Sequence, residues 1–294
     1  MGIDVVGIGE NSVDVVYRMP GPVRHVSPGG QVATTLCTCA AMGLRTAYVG
    51  TFGDDANGRL IRGELDDRGV DLRGALTRRA PNRYAVILVD ASGERTVFWH
   101  RDASLRLEPG DIAREVVTSA RLVHVDNVDE EAAIRASRFA RDAGIHVTTD
   151  IDRVSKRTSE LIGSATVPIL AEHVPHALTG EHDPEQGLRA LRRRHDGMLC
   201  LTRGALGAML LYGQRLYQVG GHPVQAVDTT GAGDVFRGAF IHALLRGDPP
   251  EQMLRFANAA AALSCTRDGA IGGVPTPEEV EAFRSTFGEA PQRT

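Results

Sequence analysis

The sequence predicts an α/β fold: a mostly parallel sheet with helices on both faces, and a small β-sheet over one end. Short apolar runs alternate with helical patterns along most of the 294 residues, and this repeated β-then-α order is typical of a parallel sheet. Two segments, residues 13–27 and 83–101, break the alternation with strand patterns that no helix follows. Since no linker or low-complexity segment interrupts the chain, we expect one α/β domain over residues 1–294, in which those two segments form the small sheet, here called the lid.

The main elements can be placed in order from their apolar periodicity and their terminal residues. Strands are predicted at residues 3–8, 46–49, 122–125, 146–149 and 198–201. Helices are predicted at residues 32–42, 57–68, 131–143, 184–195, 235–245 and 251–265. Gly43, Gly69 and Gly144 follow three of these helices, at the position where glycine commonly ends a helix. A last helix is predicted to begin at residues 276–279, Thr-Pro-Glu-Glu, which have the pattern of a capping box with proline in the first helical position.

The lid is expected to bring two chains together. Its strand runs at residues 84–89 and 95–99, with turn residues 90–94 between them, predict a β-hairpin. A small sheet of this kind exposes an apolar face, which needs a ligand or a second subunit to cover it. We therefore expect a homodimer in which two lids pack face to face.

Composition and charge argue against several classes of protein. The chain has 33 Lys and Arg residues against 37 Asp and Glu residues, and this balance argues against an extended nucleic-acid-binding surface. No apolar run approaches the roughly 18 residues that a membrane span needs, and the N-terminal residues do not have the pattern of a signal peptide. The four cysteines, Cys37, Cys39, Cys200 and Cys265, do not have the spacing of a zinc site and are interpreted as reduced thiols. We expect a cytoplasmic protein with neither a nucleic-acid nor a membrane partner.

The most informative motif lies at residues 228–234, Asp-Thr-Thr-Gly-Ala-Gly-Asp. A strand pattern ends there, small residues follow, and a helix begins. The turn Gly231-Ala232-Gly233 lets backbone N–H groups converge at a helix N-terminus, where the partial positive charge favours a phosphate. Asp234 comes next, at the mouth of this anion hole, where a carboxylate can accept the proton of an attacking hydroxyl. The alternative for such a short motif is that Asp234 only caps a helix after a glycine turn.

This motif resembles the C-terminal signature of the ribokinase-like (PfkB) carbohydrate kinases. Residues 28–30, Pro-Gly-Gly, and residues 43–58 resemble the N-terminal signature of the same family, so the resemblance covers nearly the whole chain. It implies ATP-dependent phosphorylation of a sugar hydroxyl, with Asp234 as the base and residues 231–233 as the anion hole. It also implies that Asp14 binds hydroxyl groups of the sugar, and that Gly29 and Gly30 let the backbone approach it.

The resemblance also implies a nucleotide site and two kinds of cation. Residues 201–208 resemble the family's nucleotide loop, which would place Thr202 and Gly204 along the ATP phosphates. Asn258 resembles the family's asparagine on the adenine side, the alternative being a residue on a helix surface. ATP implies Mg²⁺, and the family often binds a monovalent cation such as K⁺ through backbone carbonyls. The positions here that match those carbonyls are Asp228, Thr230, Ser264, Arg267, Gly269 and Gly273.

The sequence departs from the family's pattern in two places. Where the family has Asn-x-x-Glu near the magnesium, this chain has Ala-Glu-His-Val at residues 171–174, so Glu172 is the candidate Mg²⁺ contact, and Asp228 could contribute through water. Thr34 stands where ribokinase-like sequences have an asparagine, so the contact with the acceptor must differ from that made to ribose. Short segments around residues 29–34 and 261–267 are closer to the sulfofructose kinase and ketohexokinase branch.

Three charged residues outside these motifs are further candidates. Arg101 follows the lid hairpin and could hold an anionic group of the substrate, the alternative being a solvent-exposed pair with Asp102. Asp150 and Asp152 follow a predicted strand, at the edge where α/β sheets bind ligands, and we expect one of them to face the site.

Two other functions remain open on the sequence alone. A nucleoside or phosphosugar kinase could use the same fold, and for a nucleoside the aromatic residues Tyr17, Phe98 and Trp99 of the lid would stack on the base. A catalytically silent sugar or nucleotide sensor is favoured only by the altered residues 171–174.

Overall fold

The computed structural model describes residues 2–19, 21, 24–90 and 95–287. Its strands and helices are numbered here in chain order. The strands are β1 (Ile3–Ile8), β2 (Ser12–Arg18), β3 (Arg24–Gly29), β4 (Thr46–Val49), β5 (Thr51–Gly53), β6 (Leu76–Arg78), β7 (Tyr84–Val89), β8 (Arg95–His100), β9 (Ala120–Asp126), β10 (His146–Asp150), β11 (Ile169–Ala171), β12 (Leu199–Thr202), β13 (Ala208–Tyr212) and β14 (Arg215–Val219). The helices are α1 (Gln31–Ala41), α2 (Ala56–Asp67), α3 (Arg114–Thr118), α4 (Glu130–Asp142), α5 (Thr158–Ser164), α6 (His173–Thr179), α7 (Pro184–Arg192), α8 (Ala232–Arg246), α9 (Pro250–Ser264) and α10 (Pro277–Ser285).

The main sheet is parallel over most of its width, as the sequence predicts. Strands β4, β1, β9 and β10 pair in that order and all run parallel. A second group, in the order β11-β12-β13-β14, continues from β10 through isolated parallel bridges such as the one between Ile151 and Leu170. The sheet becomes antiparallel only at β13 and β14. The carboxyl ends of its central strands therefore point to one edge, which is where α/β sheets bind their ligands.

Helices cover both faces of this sheet because its central strands are apolar on both sides. On β1, Val6 packs in a buried cluster with residues of α4, α5 and α7, such as Ile134 of α4. The neighbouring Val5 packs on the opposite face with residues of α1, such as Leu36. Successive side chains of a strand alternate between faces, so a continuous apolar run such as β1 fits a strand that is buried on both sides.

The predicted lid is a four-stranded mixed sheet in the order β3-β2-β7-β8. Strands β7 and β8 pair antiparallel, as predicted for the hairpin, and β2 pairs parallel to β7. One face is apolar and buried, with Val16, Ala85, Ile87 and Val89 in contact. Residues 20, 22 and 23 of the predicted lid and residues 91–94 of the predicted turn lie outside the described residues.

Most predicted helices and strands occur within a few residues of their predicted ends, and the differences are local. Helix α7 stops at Arg192 rather than at residue 195, and α8 begins at Ala232, inside the glycine turn. The predicted capping box is present, since the Thr276 hydroxyl accepts from the Glu279 amide and the Glu279 carboxylate accepts from the Thr276 amide. The pair β13–β14 was not predicted, because β14 is short and partly exposed. Among the described residues, no helix combines the length and apolarity that a membrane crossing requires.

Candidate active site

Two neighbouring cavities lie along the carboxyl edge of the main sheet. The first, here called the lid-side cavity, has a volume of about 450 Å³ and lies between the lid, the end of β10 and the start of α8. The second, here called the loop-side cavity, has a volume of about 640 Å³ and lies between the loop after β12, the start of α8 and helix α9. Both have the size of small-molecule sites, and both are lined by Thr202 and Gly233, so they meet there.

The glycine turn before α8 is built as the sequence predicts. Gly231 is the N-cap of α8, with φ of 75°, and a Cβ atom there would lie 2.9 Å from Cα of Ala270. A residue with a side chain would therefore be strained and would collide with the neighbouring backbone. No side chain among the described residues caps this helix end by a hydrogen bond, and Gly231 and Gly233 line the lid-side cavity. The turn thus presents the positive end of α8 to the region where the cavities meet.

Asp234 lies in the first turn of α8 and lines the lid-side cavity. Asp150, the last residue of β10, also lines that cavity, and its carboxyl group lies beside that of Asp234. Nη2 of Arg237 lies 2.6 Å from Oδ1 of Asp150, and both of these side chains are buried. The expectation that Asp150 or Asp152 faces the site agrees with this arrangement, since both line the cavity.

Burial and mutual repulsion change the protonation of the two carboxyl groups. Burial raises the pKa of Asp234 well above its ordinary value, and the negative charge of Asp150 raises it further. Burial also raises the pKa of Asp150 to about 6, while the positive charge of Arg237 opposes that rise. Asp234 is therefore a stronger base than an aspartate that is exposed to water.

The lid contributes Asp14 and the glycine pair. Asp14 lies on β2 opposite Ser27 of β3, is 6% exposed and lines the lid-side cavity. A Cβ atom on Gly29 would lie 3.3 Å from Oδ2 of Asp14, and one on Gly30 would lie 2.6 Å from Cα of Asn11. The glycines thus allow β3 to approach both the Asp14 side chain and the chain that follows β1.

Arg101 also reaches the lid-side cavity, but its charge is already paired. Its guanidinium donates two hydrogen bonds to the Glu10 carboxylate, at 2.8 and 3.2 Å, and stacks 4.1 Å from the centre of the Trp99 ring. Glu10 is 1% exposed, so this is a pair across the cavity wall rather than a solvent-exposed pair with Asp102. The Asp102 carboxylate instead accepts from the Ser104 amide.

Thr34 lies away from both cavities. It is fully buried in α1, and its hydroxyl oxygen has no accessible surface. It is not among the residues that line either cavity. The structure therefore places Thr34 in the core of the protein, where it has no surface with which to contact an acceptor.

The loop-side cavity is bounded by the predicted nucleotide loop. Thr202 and Gly204 line it, and Gly204 has φ of 53°. Asn258 lines it from α9, and its Nδ2 donates to the carbonyls of Val219 and Gly220, at 3.2 and 3.3 Å. Asn258 is thus a buried residue that ties α9 to the end of β14, rather than a residue on a helix surface.

Comparison with known proteins assigns this arrangement to a family. Residues 3–277 match the pfkB family carbohydrate kinases. The chain belongs to this family. It is 30% identical to Fructokinase-1 of Oryza sativa subsp. japonica, over 94% of this chain and 96% of the relative. It is also 30% identical to the ATP-dependent ribose-1-phosphate kinase of Halopiger xanaduensis, over 89% of this chain and 88% of the relative.

The solved structures agree with this assignment. A putative ribokinase from Agrobacterium tumefaciens has a TM-score of 0.91 with 27% identity, over 99% of this chain and all of that one. The fold is therefore ribokinase-like, as predicted. The protein is an ATP-dependent carbohydrate kinase, a phosphotransferase with an alcohol as acceptor.

The carboxylates predicted to contact metals in this kinase have other partners. Glu172, at the N-terminus of α6, forms an ion pair with Arg203 at 3.0 Å and lines neither cavity. The Asp228 carboxylate accepts from the amide and hydroxyl of Thr230 and from the Gly269 amide. It therefore braces the glycine turn against the loop at residues 265–273.

The predicted carbonyl ligands of a monovalent cation lie on two segments that touch each other. The amides of Val227 and Asp228 donate to the Cys265 carbonyl, and Gly269 contacts Asp228. A Cβ atom on Gly273 would lie 2.9 Å from the carbonyl oxygen of Ser264. The six candidate positions, Asp228, Thr230, Ser264, Arg267, Gly269 and Gly273, are thus close in space, although the Arg267 side chain pairs with Glu279.

Several residues of the site were not predicted from the sequence. Arg237 is one helical turn beyond Asp234, and that spacing was the available signal. Glu10 follows the predicted first strand, but only the fold brings it to Arg101. His222 lines the loop-side cavity with the ring of Phe283 5.4 Å away, and burial lowers the pKa of its imidazole. The segment around His222 carries no motif that could have identified it.

Proposed function

We propose that this kinase transfers the γ-phosphoryl group of ATP to a hydroxyl of an uncharged sugar or sugar derivative. ATP would occupy the loop-side cavity and the acceptor the lid-side cavity. The observation that carries the proposal is the position of the glycine turn and Asp234 where the two cavities meet. A hydroxyl in the lid-side cavity could thus lie beside Asp234 while a terminal phosphate lies at the start of α8.

The chemical step follows from these positions. The acceptor hydroxyl gives its proton to an Oδ atom of Asp234 as the new O–P bond forms, and ADP leaves with the electrons of the broken bond. The backbone N–H groups at residues 231–233 stabilise the negative charge of the transferred group. Mg²⁺ would arrive with the nucleotide and neutralise part of the phosphate charge. Asp14 would accept a hydrogen bond from another hydroxyl of the acceptor, and the lid would exclude water.

The charges of the lid-side cavity favour an uncharged acceptor over a phosphosugar or sulfosugar. Five carboxyl groups line it against two guanidinium groups: Glu10, Asp14, Asp150, Asp152 and Asp234 against Arg101 and Arg237. Both guanidinium groups are paired with carboxylates of the cavity wall. A second anionic group on the acceptor would therefore meet excess negative charge.

A nucleoside acceptor has less support than a sugar from the residues that line the lid-side cavity. Of the three lid aromatic residues considered, only Trp99 lines the cavity, and the Arg101 guanidinium stacks on its ring. For a silent sensor, the altered residues at 171–174 remain the only support, while Asp234 and the glycine turn have the arrangement that catalysis needs.

We also propose the homodimer formed through the lid, for which exposed apolar residues of β8 are the support.

The deciding experiment is a coupled ADP-release assay with ATP, Mg²⁺ and K⁺. The acceptor panel contains ketoses, pentoses, sulfosugars, phosphosugars and nucleosides, and Asp234→Asn is the control. We expect turnover with an uncharged sugar that falls by about 10²- to 10⁴-fold in Asp234→Asn, the range that general-base catalysis contributes, while ATP binding is kept. Turnover only with anionic sugars or nucleosides would contradict the uncharged acceptor. No turnover on any acceptor would favour a sensor.

A further inference from the structure

Arg237, Asp150 and Asp234 form a row of charged side chains beneath the proposed acceptor. Arg237 Nη2 lies 2.6 Å from Asp150 Oδ1, and these side chains are 4% and 2% exposed. The Asp150 carboxyl group lies in turn beside that of Asp234, in the wall of the same cavity. The row therefore joins the end of β10 to two positions one helical turn apart on α8.

The backbone leaves space for this row at one defined point. A Cβ atom on Gly233 would lie 2.7 Å from Arg237 Nη1, so the second glycine of the turn lets the guanidinium pack directly below it. Burying an arginine is costly unless it is paired, and removing one partner of a buried pair leaves an uncompensated charge. The Asp150–Arg237 ion pair therefore holds the Asp150 carboxylate close to the start of α8.

We propose that Asp150 and Arg237 are positioning residues for Asp234, a role that rests on the proposed function. Arg237 keeps Asp150 ionised and fixed, and the Asp150 carboxylate accepts a hydrogen bond from Asp234 once Asp234 has taken the acceptor's proton. The proton moves from the acceptor hydroxyl to Asp234, is held there by Asp150 during the phosphoryl transfer, and passes to solvent when the products leave. Asp150 therefore strengthens Asp234 as a base, because it stabilises the protonated form of that residue.

The charged groups around Asp234 shift its pKa in opposite directions, and this makes the proposal testable. Asp150 and, more weakly, Asp152 raise the pKa of Asp234, whereas Arg237 lowers it. The lid side of the cavity adds the carboxylate Asp14 and the paired Glu10 and Arg101. Removing Asp150 or Arg237 should therefore shift the titration of Asp234 in opposite senses.

The test compares Asp150→Asn and Arg237→Gln by ¹³C NMR titration of labelled aspartate carboxyl groups in the free protein. The Asp234 signal is assigned with Asp234→Asn. Because Asp234 acts as a base only when ionised, the acid limb of the kcat/KM profile follows the same pKa. We expect this pKa to rise in Arg237→Gln and to fall in Asp150→Asn. We also expect kcat to fall in both variants by on the order of 100-fold, as for a misplaced catalytic group.

Two controls separate positioning from general stability. Arg83→Gln breaks a second buried pair, with Asp129 at 2.7 Å and side-chain exposures of 3% and 7%, and neither residue lines the lid-side cavity. It should lower the melting temperature without moving the Asp234 titration. Arg237→Lys keeps the charge, so its Asp234 titration should lie closer to wild type than that of Arg237→Gln. If Arg237→Gln does not fold, the comparison of Arg237→Lys with Asp150→Asn still tests the proposal.

The outcome also separates this inference from the proposed function. If Asp150→Asn and the Arg237 variants fold and leave the Asp234 titration and kcat unchanged, while Asp234→Asn abolishes turnover, the positioning role is wrong and the proposed function stands. If Asp234→Asn retains full turnover, the proposed base is wrong, and the positioning role falls with it.

Discussion

The lid-side and loop-side cavities meet at the same glycine turn but are built differently. Five carboxyl groups and two guanidinium groups line the lid-side cavity. The loop-side cavity is lined mainly by glycine, alanine and other small or apolar residues, and no carboxylate or guanidinium of the described residues lines it. The first cavity is thus suited to selecting hydroxyl groups through charged side chains, and the second to accepting a large ligand through shape and backbone contacts.

This difference has a physical reason in the proposed reaction. The acceptor has to lose a proton, which requires a carboxylate of raised basicity in a wall of controlled charge. The nucleotide brings its own negative charge, so carboxylates around it would oppose binding, and backbone N–H groups at the start of α8 serve better. Changes on the two sides should therefore affect different kinetic constants, while a change at the shared turn should affect both.

Among the variants that distinguish the two cavities, the largest effect is expected at the shared turn, in Gly231→Ala. The substitution places a Cβ atom 2.9 Å from Cα of Ala270 at a residue with φ of 75°. Displacing the turn by a fraction of an ångström would misplace both the proposed anion hole and Asp234, so we expect kcat to fall by on the order of 100-fold. Steady-state kinetics with both substrates saturating would measure this loss.

Gly247→Ala is the matched control for that variant. Gly247 follows the other end of α8 with φ of 82°, and a Cβ atom there would meet nothing within 4 Å. The free energy of unfolding of Gly247→Ala should fall by about 1 kcal/mol, because alanine is unfavourable in this backbone conformation. Its kcat should stay near wild type. An equal loss of kcat in both variants would mean that the turn at Gly231 has no special role in the reaction.

On the lid side, Asp14→Asn should weaken acceptor binding and leave ATP binding unchanged. The change removes the charge from a hydrogen bond to the acceptor, and such charge-assisted bonds contribute about 1.5–3 kcal/mol, or about 10- to 100-fold in kcat/KM for the acceptor. The two KM values, each measured with the other substrate saturating, would show this. A rise in the KM for ATP alone would place Asp14 on the wrong side of the turn.

The two cavities also differ in how far the sequence could predict them. Residues 228–234 are contiguous, and a strand, a glycine turn and a helix start can be recognised locally, so the glycine turn could be predicted without knowledge of the fold. The pairs Glu10–Arg101 and Asp150–Arg237 join residues that are far apart in sequence, and only the strand order brings them together. A position in a motif also does not reveal whether a side chain is buried. The position of Thr34 suggested contact with the acceptor, whereas the packing of α1 buries it.

The main sheet was predictable for a similar reason. Strand β1 is a continuous apolar run and α4 has a clear apolar face, so local periodicity identifies both. The pair β13–β14 was missed because β14 is short and partly exposed, and its pairing partner rather than its own pattern makes it a strand.

On the loop side, Asn258→Ala should give a smaller effect confined to ATP. The variant removes the hydrogen bonds from Nδ2 to the carbonyls of Val219 and Gly220, which fix the end of β14 against α9. The net value of one such bond, about 0.5–1.5 kcal/mol, corresponds to a rise of about 3- to 10-fold in the KM for ATP. Isothermal titration with a non-hydrolysable ATP analogue would check this without an acceptor. A change in the KM for the acceptor alone would contradict the separation of the two sides.

The smallest kinetic effect, and a complete change of assembly, is expected for Phe98→Asp on the lid. Phe98 is 56% exposed, and it alternates along β8 with Val97 and Trp99, which line the cavity, so it lies on the opposite face of the lid. A carboxylate there should separate a lid-to-lid dimer into monomers, as sedimentation velocity at micromolar concentration would show. Val154→Asp, at an exposed apolar residue outside the lid, should leave the assembly unchanged.

The kinetics of the Phe98→Asp monomer would then locate the contribution of the second subunit. If the partner's lid only covers the outer face, both KM values should stay within about twofold of wild type, as for a typical surface substitution of about 0.5 kcal/mol. If it holds the lid over the acceptor, the KM for the acceptor should rise while that for ATP is unchanged, as in Asp14→Asn. A wild-type protein that is already monomeric would contradict the dimer itself, and the lid would then close the cavity through contacts within one chain, chiefly the pair between Arg101 and Glu10.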